Sequence, residues 1–363
     1  MTGPAVAADV PERQGQYFVY AVGDPGRAPA GVVPVADLAW PERPDTVVDG
    51  FSVTDAGDRE VVRVRAASVR GLSHRWTGQV RQDEYGWRVT HDRRHLVVCV
   101  ADGVSSGPLS HIAAGCAVRY GVDLLSRLLL DHEPADLPWD HVLHEVANVI
   151  VGTGVPMLWP GTENVAAVPI RAVAEQMATT ALYAVVDLLP VDGRHDVTLV
   201  PVGDTSAWVL AGDGRWEPRQ PVKNADAEVH SSSVFALPMT PAAPIAPVWT
   251  TVGAGEALVL MTDGVGDPLS GGTGEVGRFL ARVWQRPPAD LEFAAQVGFV
   301  RRTYDDDRTA FAVWPIHSGG RHGHRGAHSG VGVEDSEAEG RHRDGGGDQE
   351  RLRHAVHQHG ARL

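Results

Sequence analysis

VVCVADGVSSGP, residues 97–108, runs an apolar segment fit for burial into a carboxylate followed by glycine. A buried, unpaired aspartate is costly to desolvate, so Asp102 requires a partner or an ion. The pattern has echoes. EALVLMTDG (256–264) is a second apolar strand, ending in Asp263–Gly264. GQVRQDEYG (78–86) places Asp83 in a polar turn, and YDDDRTAFAV (304–313) sets Asp305, Asp306 and Asp307 directly before another strand. A single Asp-Gly pair at a strand end is an ordinary turn. Several such carboxylates converge if their strands end at one edge of a sheet, and carboxylates held close cannot all stay ionised without a cation. Hard divalent cations such as Mg²⁺ and Mn²⁺ take oxygen ligands, and two of them together lower the pKa of a shared water. Glycine after Asp102 suits close approach of the backbone, including a carbonyl ligand.

Three textures divide the chain. Residues 1–58 are rich in Pro and Gly, with a strand-like piece at 16–22, and read as a partly ordered N-terminal extension. Residues 59–316 carry the sustained periodicity of one large domain. Residues 317–363, rich in His, Gly and Arg and without aromatics, read as a disordered tail, because so few apolar groups do not offset the entropy of ordering. Within the middle region strands are expected at 61–69, 95–102, 179–187, 196–202, 206–212, 256–264 and 309–315. The fourth and fifth are separated by Gly203, Asp204 and Thr205 alone, which reads as a hairpin. Ala211–Trp216 reads as a hairpin turn. Helical spacing recurs from Ile112 to Leu128, and around 139–150, 276–285 and 291–304, with a loop at 156–164. Strands in series with helices at intervals point to a mixed sheet-and-helix domain.

A formal net charge of −14 argues against a nucleic-acid backbone as partner. Cys99 and Cys116 belong to no CxxC or Cys/His pattern, so a disulfide framework is not expected and a reducing cytoplasm is. The first residues lack a basic-then-apolar leader, and no apolar run reaches the ~18 residues of a membrane span. HVLHEVAN (141–148) has Asn148 where a zinc-protease motif requires its second His.

The ordered motifs GLSHRWTGQVRQDEYGW (71–87), VADGVSSGP (100–108), MATTALYAVV (177–186), VGDTSAW (202–208), LVLMTDGVGD (258–267) and DDDRTAFAV (305–313) resemble the PP2C-type metal-dependent protein serine/threonine phosphatases, in a bacterial, actinobacterial-like form. The resemblance implies an α+β fold, a four-layer αββα sandwich with a central antiparallel β-sandwich flanked by helices. It implies hydrolysis of phosphoserine and phosphothreonine in proteins with two Mn²⁺ or Mg²⁺ ions and a metal-bridging hydroxide. No phosphoenzyme is needed, in keeping with the lack of a CxxxxxR or GxSxG motif. Position by position, Asp102 matches the aspartate that bridges both metals and the Gly103 carbonyl a ligand of the second. Asp263 and Asp306 match ligands of the first. Asp83 matches the early acidic ligand, direct or through water. Asp204 matches a turn aspartate read as structural, and Thr179 and Thr180 a pair that supports the site from behind. The implied partners are a phosphorylated protein substrate and a cognate Ser/Thr kinase.

The chain departs from the family pattern at three places. Gln82 stands where Glu is common, and Asp307 where Asn is. Val104 follows Asp102–Gly103 where some relatives carry a histidine. His74 is the candidate to replace that histidine or is a structural residue, and Arg75 and Arg81 compete for the phosphate. The departures leave open a catalytically weak module that binds phosphoproteins or regulates a kinase, and a hydrolase of small phosphate esters.

Overall fold

The computed structural model describes residues 12–14, 17–24, 43–220, 235–241 and 244–316. The tail expected to be disordered, 317–363, lies outside them. A short hairpin pairs β1 (Glu12–Gln14) with β2 (Tyr17–Val19). The remaining strands form two antiparallel sheets. Five strands make one: β5 (Glu84–Val89), β6 (His95–Gly103), β7 (Thr179–Asp187), β8 (Arg194–Val202) and β11 (Val248–Gly253), in spatial order β11-β8-β7-β6-β5. Six make the other: β3 (Thr46–Thr54), β4 (Glu60–Val69), β9 (Ser206–Leu210), β10 (Trp216–Pro218), β12 (Ala257–Met261) and β13 (Arg308–Pro315), in order β10-β9-β12-β13-β4-β3.

The opening stretch is continuously apolar because its strand is covered on both sides. Successive side chains of a strand point to opposite faces. Leu96, Val98 and Val100 of β6 face the other sheet, with Leu182, Ala184, Leu258, Leu260 and Phe311. Val97, Cys99 and Ala101 face two helices, α2 (Ser110–Leu128) and α3 (Trp139–Leu158). β12 divides the same way, with Val259 and Met261 against α6 (Glu275–Val283) and α7 (Asp290–Val297) through Phe279, Leu280 and Phe293. Four layers result, helices–sheet–sheet–helices, as the resemblance implies. Each fully buried Val, Leu or Phe side chain in them contributes about 1.5–3 kcal/mol by leaving water. Three short or connecting helices complete the set: α1 (Leu72–Thr77), α4 (Ile170–Ala174) and α5 (Asp263–Leu269). No described helix is long and apolar enough to cross a membrane.

Some local expectations change. β8 and β9 do not form a hairpin: β8 pairs with β7 and β11, and β9 with β10 and β12. The chain crosses between sheets at Gly203, whose φ of +96° and whose missing Cβ, 2.5 Å from Thr180 Cγ2, admit a turn closed to other residues. A short polar link between apolar strands thus has two solutions, and packing selects the crossover. The Ala211–Trp216 turn does join a hairpin, β9 with β10. Helix α3 continues through Pro156 to Leu158, where a loop was expected. Its Val142, Val146, Ile150 and Val155 remain buried, and that packing outweighs the single bond proline removes. Helix α7 ends at Val297, because Val300 bridges to Ala21 in a short parallel pairing. Thr46–Thr54, inside the segment set apart as an extension, pairs along β4 as an edge strand.

Register fixes what meets at the sandwich edge. Asp102 lies opposite Thr180, Ala181 opposite Val202, and Met261 opposite both Ser206 and Ala310. The ends of β6, β8 and β12 and the starts of β7, β9 and β13 therefore share one edge.

Candidate active site

At that edge a cavity of about 670 Å³ opens, lined by Asp102, Asp204, Asp263 and Asp306 together with Gly103 and Thr180. Asp102 is the penultimate residue of β6. Its backbone carbonyl accepts the Thr179 hydroxyl at 2.8 Å, and Thr180 Oγ1 shares a 2.8 Å hydrogen bond with Thr205. The threonine pair therefore braces the strand end from the neighbouring strand. Asp263 is the first residue of α5, one residue beyond the end of β12. Asp306 precedes β13, with its Oδ1 accepting the Asp307 N–H at 2.8 Å.

The glycines after the two strand-end aspartates serve close approach. A Cβ on Gly264 would lie 1.9 Å from the Asp307 carbonyl oxygen, and one on Gly103 would lie 3.0 Å from the Gln82 carbonyl. Both glycines have ordinary φ, so their role is to let neighbouring segments close in on the aspartates.

Crowding of like charge sets the electrostatics. Burial pushes the Asp102 carboxyl well above the usual carboxylate range, and the charges of Asp83, Asp263, Asp306 and Asp204 push the same way. Asp263 is raised to about 6, first by burial and then by Asp204 and Asp306, against a lowering hydrogen bond with the Asp102 side chain. Burial likewise raises Asp306, although the Asp307 N–H and His74 act against it. Asp102, Asp263 and Asp306, each raised against its own ionisation, form with Asp204 a set of hard oxygen donors in one cavity.

Asp83 lies behind the cavity rather than in its lining. It is 1% exposed, and its Oδ2 accepts the hydroxyls of Thr262 and Thr309, each at 2.8 Å. Burial and the charges of Asp307 and Asp306 raise it well above its usual range. Asp307 has the opposite character. Oδ1 accepts the Gly71 N–H at 2.6 Å, Oδ2 accepts the Gln82 N–H, and His74 Nδ1 sits 3.0 Å from Oδ2, an ion pair when the imidazole is protonated. Burial alone would raise this carboxyl, but His74 and the two N–H groups outweigh it and hold it below the usual range. The effect on His74 is reciprocal: burial works to lower it, and Asp307 raises it overall. Ligand atoms of His74, Asp306 and Asp307 come within 4.8 Å of one another, yet the Asp307 oxygens already hold internal donors.

The cationic candidates are distributed differently. Arg81 is 1% exposed, and its guanidinium donates to Ser68 Oγ and to the Asp83 carbonyl. Arg75 is half-buried, with Nε donating to the Arg70 carbonyl at 3.1 Å. Neither lines the cavity. Arg171, which the sequence reading passed over, does. It lies in a helix of five residues between loops, where no periodicity marks it. Phe235 and Met239, 46% and 40% exposed, line the cavity from a segment equally without period. Asp204, read as a structural turn residue, is also in the lining, carried there by the crossover between sheets.

Comparison with curated proteins finds no match. Among solved structures, the chain is similar to PppA, a regulatory component of the type VI secretion system in Pseudomonas aeruginosa, at 17% identity and a TM-score of 0.45, covering 73% of this chain and 100% of that one. It is similar to the catalytic domain of the serine/threonine phosphatase PstP in complex with two manganese ions, at 17% identity and a TM-score of 0.44, over 70% and 99% of the two chains. A phosphatase from a pathogenic strain of Toxoplasma gondii gives 12% identity and a TM-score of 0.47, over 75% and 97%. The family model described as protein phosphatase 2C matches residues 70–295, well over half of the chain. That span begins just before α1 and ends within α7, taking in Asp83, Asp102, Asp204 and Asp263. The chain belongs to the protein phosphatase 2C family.

Proposed function

We propose that this chain is a metal-dependent phosphatase that hydrolyses phosphoserine and phosphothreonine in proteins. The observation that carries the reading is the gathering of Asp102, Asp204, Asp263 and Asp306 in one cavity, with three of the four raised in pKa by burial and mutual repulsion. The donor set fits hard divalent cations, Mn²⁺ or Mg²⁺, which prefer carboxylate and carbonyl oxygen. An orphaned atom supports the fit: Gln82 Oε1 is buried without a partner among the described residues, on the segment that packs against Gly103.

Asp102, the Gly103 carbonyl, Asp263 and Asp306 would hold two such ions, with Asp83 supporting them from behind. Bound there, the ions supply positive charge that activates water and neutralises phosphoryl oxygens. The chain's own contribution is position. β6 and the Thr179 hydroxyl fix Asp102, the start of α5 fixes Asp263, and the knot around Asp307 fixes the backbone that presents Asp306. Of the groups proposed for phosphate, Arg75 has the more accessible guanidinium, whereas Arg81 and His74 act from within the supporting structure. Exposed Phe235 and Met239 at the same cavity favour a polypeptide substrate over a small ester, since a small ester leaves such a surface uncovered. A cytoplasmic location and a cognate Ser/Thr kinase complete the reading.

The test is phosphate release from a phosphothreonine peptide by purified, folded protein. Release with Mn²⁺ that EDTA abolishes is expected; no release in either condition overturns the reading.

A further inference from the structure

The four aspartates share their cavity with one basic side chain among the described residues, Arg171. Its helix, α4, is anchored by Val173, fully buried in the core beside Met177, while the Arg171 side chain stands 86% exposed. Its ion pair is with Glu175, one turn on, at 3.5 Å, and Glu175 is itself 64% exposed. A pair so open to water is weak and exchangeable. The rest of the lining is mostly apolar, with Val104, Ala174, Ala178, Phe235, Ala236 and Met239. The lining thus combines four carboxylates, an apolar set and, among the described residues, a single cation.

A phosphorylated segment whose phosphate enters at the carboxylates lays its neighbouring residues along the rest of the lining, Arg171 included. A cation meant for the phosphoryl group itself is expected in a desolvated position, where its charge counts most. Arg171 is instead solvated, on a short helix, with a partner it can release. On a chain of formal net charge −14 it is also a local exception to a field that repels acidic peptides. We propose that Arg171 is a specificity-determining residue that selects phosphorylated segments carrying an acidic side chain beside the phosphorylated residue, with that side chain replacing Glu175 on the guanidinium. The proposal rests on the phosphatase reading above.

Binding tests it independently of turnover. Two fluorescent peptides carry a non-hydrolysable phosphonate in place of phosphothreonine, one flanked by Glu and one by Lys. Their affinities for the full chain in Mn²⁺ are read by anisotropy for wild type, Arg171→Ala and Arg171→Glu. The Glu-to-Lys preference is expected to fall about fivefold in Arg171→Ala and further in Arg171→Glu, the scale of one exposed charge pair. A preference that moves less than about twofold overturns the proposal. So does a uniform loss on both peptides, which would place Arg171 on the phosphoryl group, and so does a wild type that binds neither. Hydrolysis of p-nitrophenyl phosphate by the wild type with Mn²⁺ examines the phosphatase reading separately, so the two failures are distinguishable.

Discussion

Asp306 and Asp307 are neighbours in sequence and opposites in environment. Asp307 is closed on itself, its oxygens taken by the Gly71 and Gln82 N–H groups and by His74, and it is held below the ordinary carboxylate range. Asp306 lines the cavity with Asp102, Asp204 and Asp263 and is raised, as are Asp102 and Asp263. A carboxylate surrounded by donors binds the fold together. A carboxylate surrounded by other carboxylates is an unmet demand for positive charge. The site is built from both kinds, with Asp307 holding in place the backbone that presents Asp306.

The comparison breaks most visibly in activity. Asp263→Ala is expected to lower Mn²⁺-dependent phosphate release by at least 10²–10³-fold, on the order of losing one preorganised electrostatic element, while circular dichroism shows the fold retained. Wild-type turnover in this variant contradicts the division. Asp307→Asn is expected to act on stability instead, losing about 3 kcal/mol in urea unfolding, because it leaves a buried His74 without its counter-charge. Unchanged stability would mean that the Asp307 knot is incidental.

The strand-end aspartates were legible in the sequence, for a physical reason. β6 and β12 are covered on both faces, so they read as apolar runs, and the aspartate ending each stands out against them. The helical period of α2 and the six ordered motifs placed the layers. Other parts carried no such signal. The step from β8 to β9 has the local chemistry of a hairpin, and only packing of the two sheets sends it across, taking Asp204 into the cavity. Arg171 lies on a five-residue helix too short to show a period. Asp307 showed only as a departure from Asn, because its compensating donors come from Gly71, His74 and Gln82, over 200 residues away in sequence.

A smaller effect sharpens the contrast through pH. In metal-free protein Asp263 titrates at about 6 against an ordinary 3.8, so the folded chain binds this proton more tightly than the unfolded chain. Its contribution is fully present below pH 3.8 and lost as pH rises through 6. Asp102 is raised in the same sense, and so is His74, whose contribution is present below 6.5 and lost above it. Asp307 has the opposite sign, but its contribution is lost only as pH falls below 3.8. His95 and His195, both lowered by burial, act the other way as pH falls through 6.5, but the raised set of Asp83, Asp102, Asp263, Asp306 and His74 is the larger. The melting temperature of EDTA-treated protein is therefore expected to rise between pH 7 and pH 5 by about 2–4 °C, the shift that ~1 kcal/mol gives a domain of this size. Calorimetry at pH 7, 6 and 5 reads it, and a steady fall across that window contradicts the assignment.

The most direct measurement is the melting temperature of wild type and Asp102→Asn, each with EDTA and with saturating Mn²⁺. Removing one charge from a repelling cluster relieves the empty site, so Asp102→Asn is expected to melt at or above wild type in EDTA. Wild type is expected to gain stability on adding Mn²⁺, as any protein does when its folded state alone binds the ion, and Asp102→Asn to lose most of that gain. If Asp102→Asn melts well below wild type in EDTA and keeps the full Mn²⁺ gain, Asp102 is a structural residue and the cavity is not a metal centre.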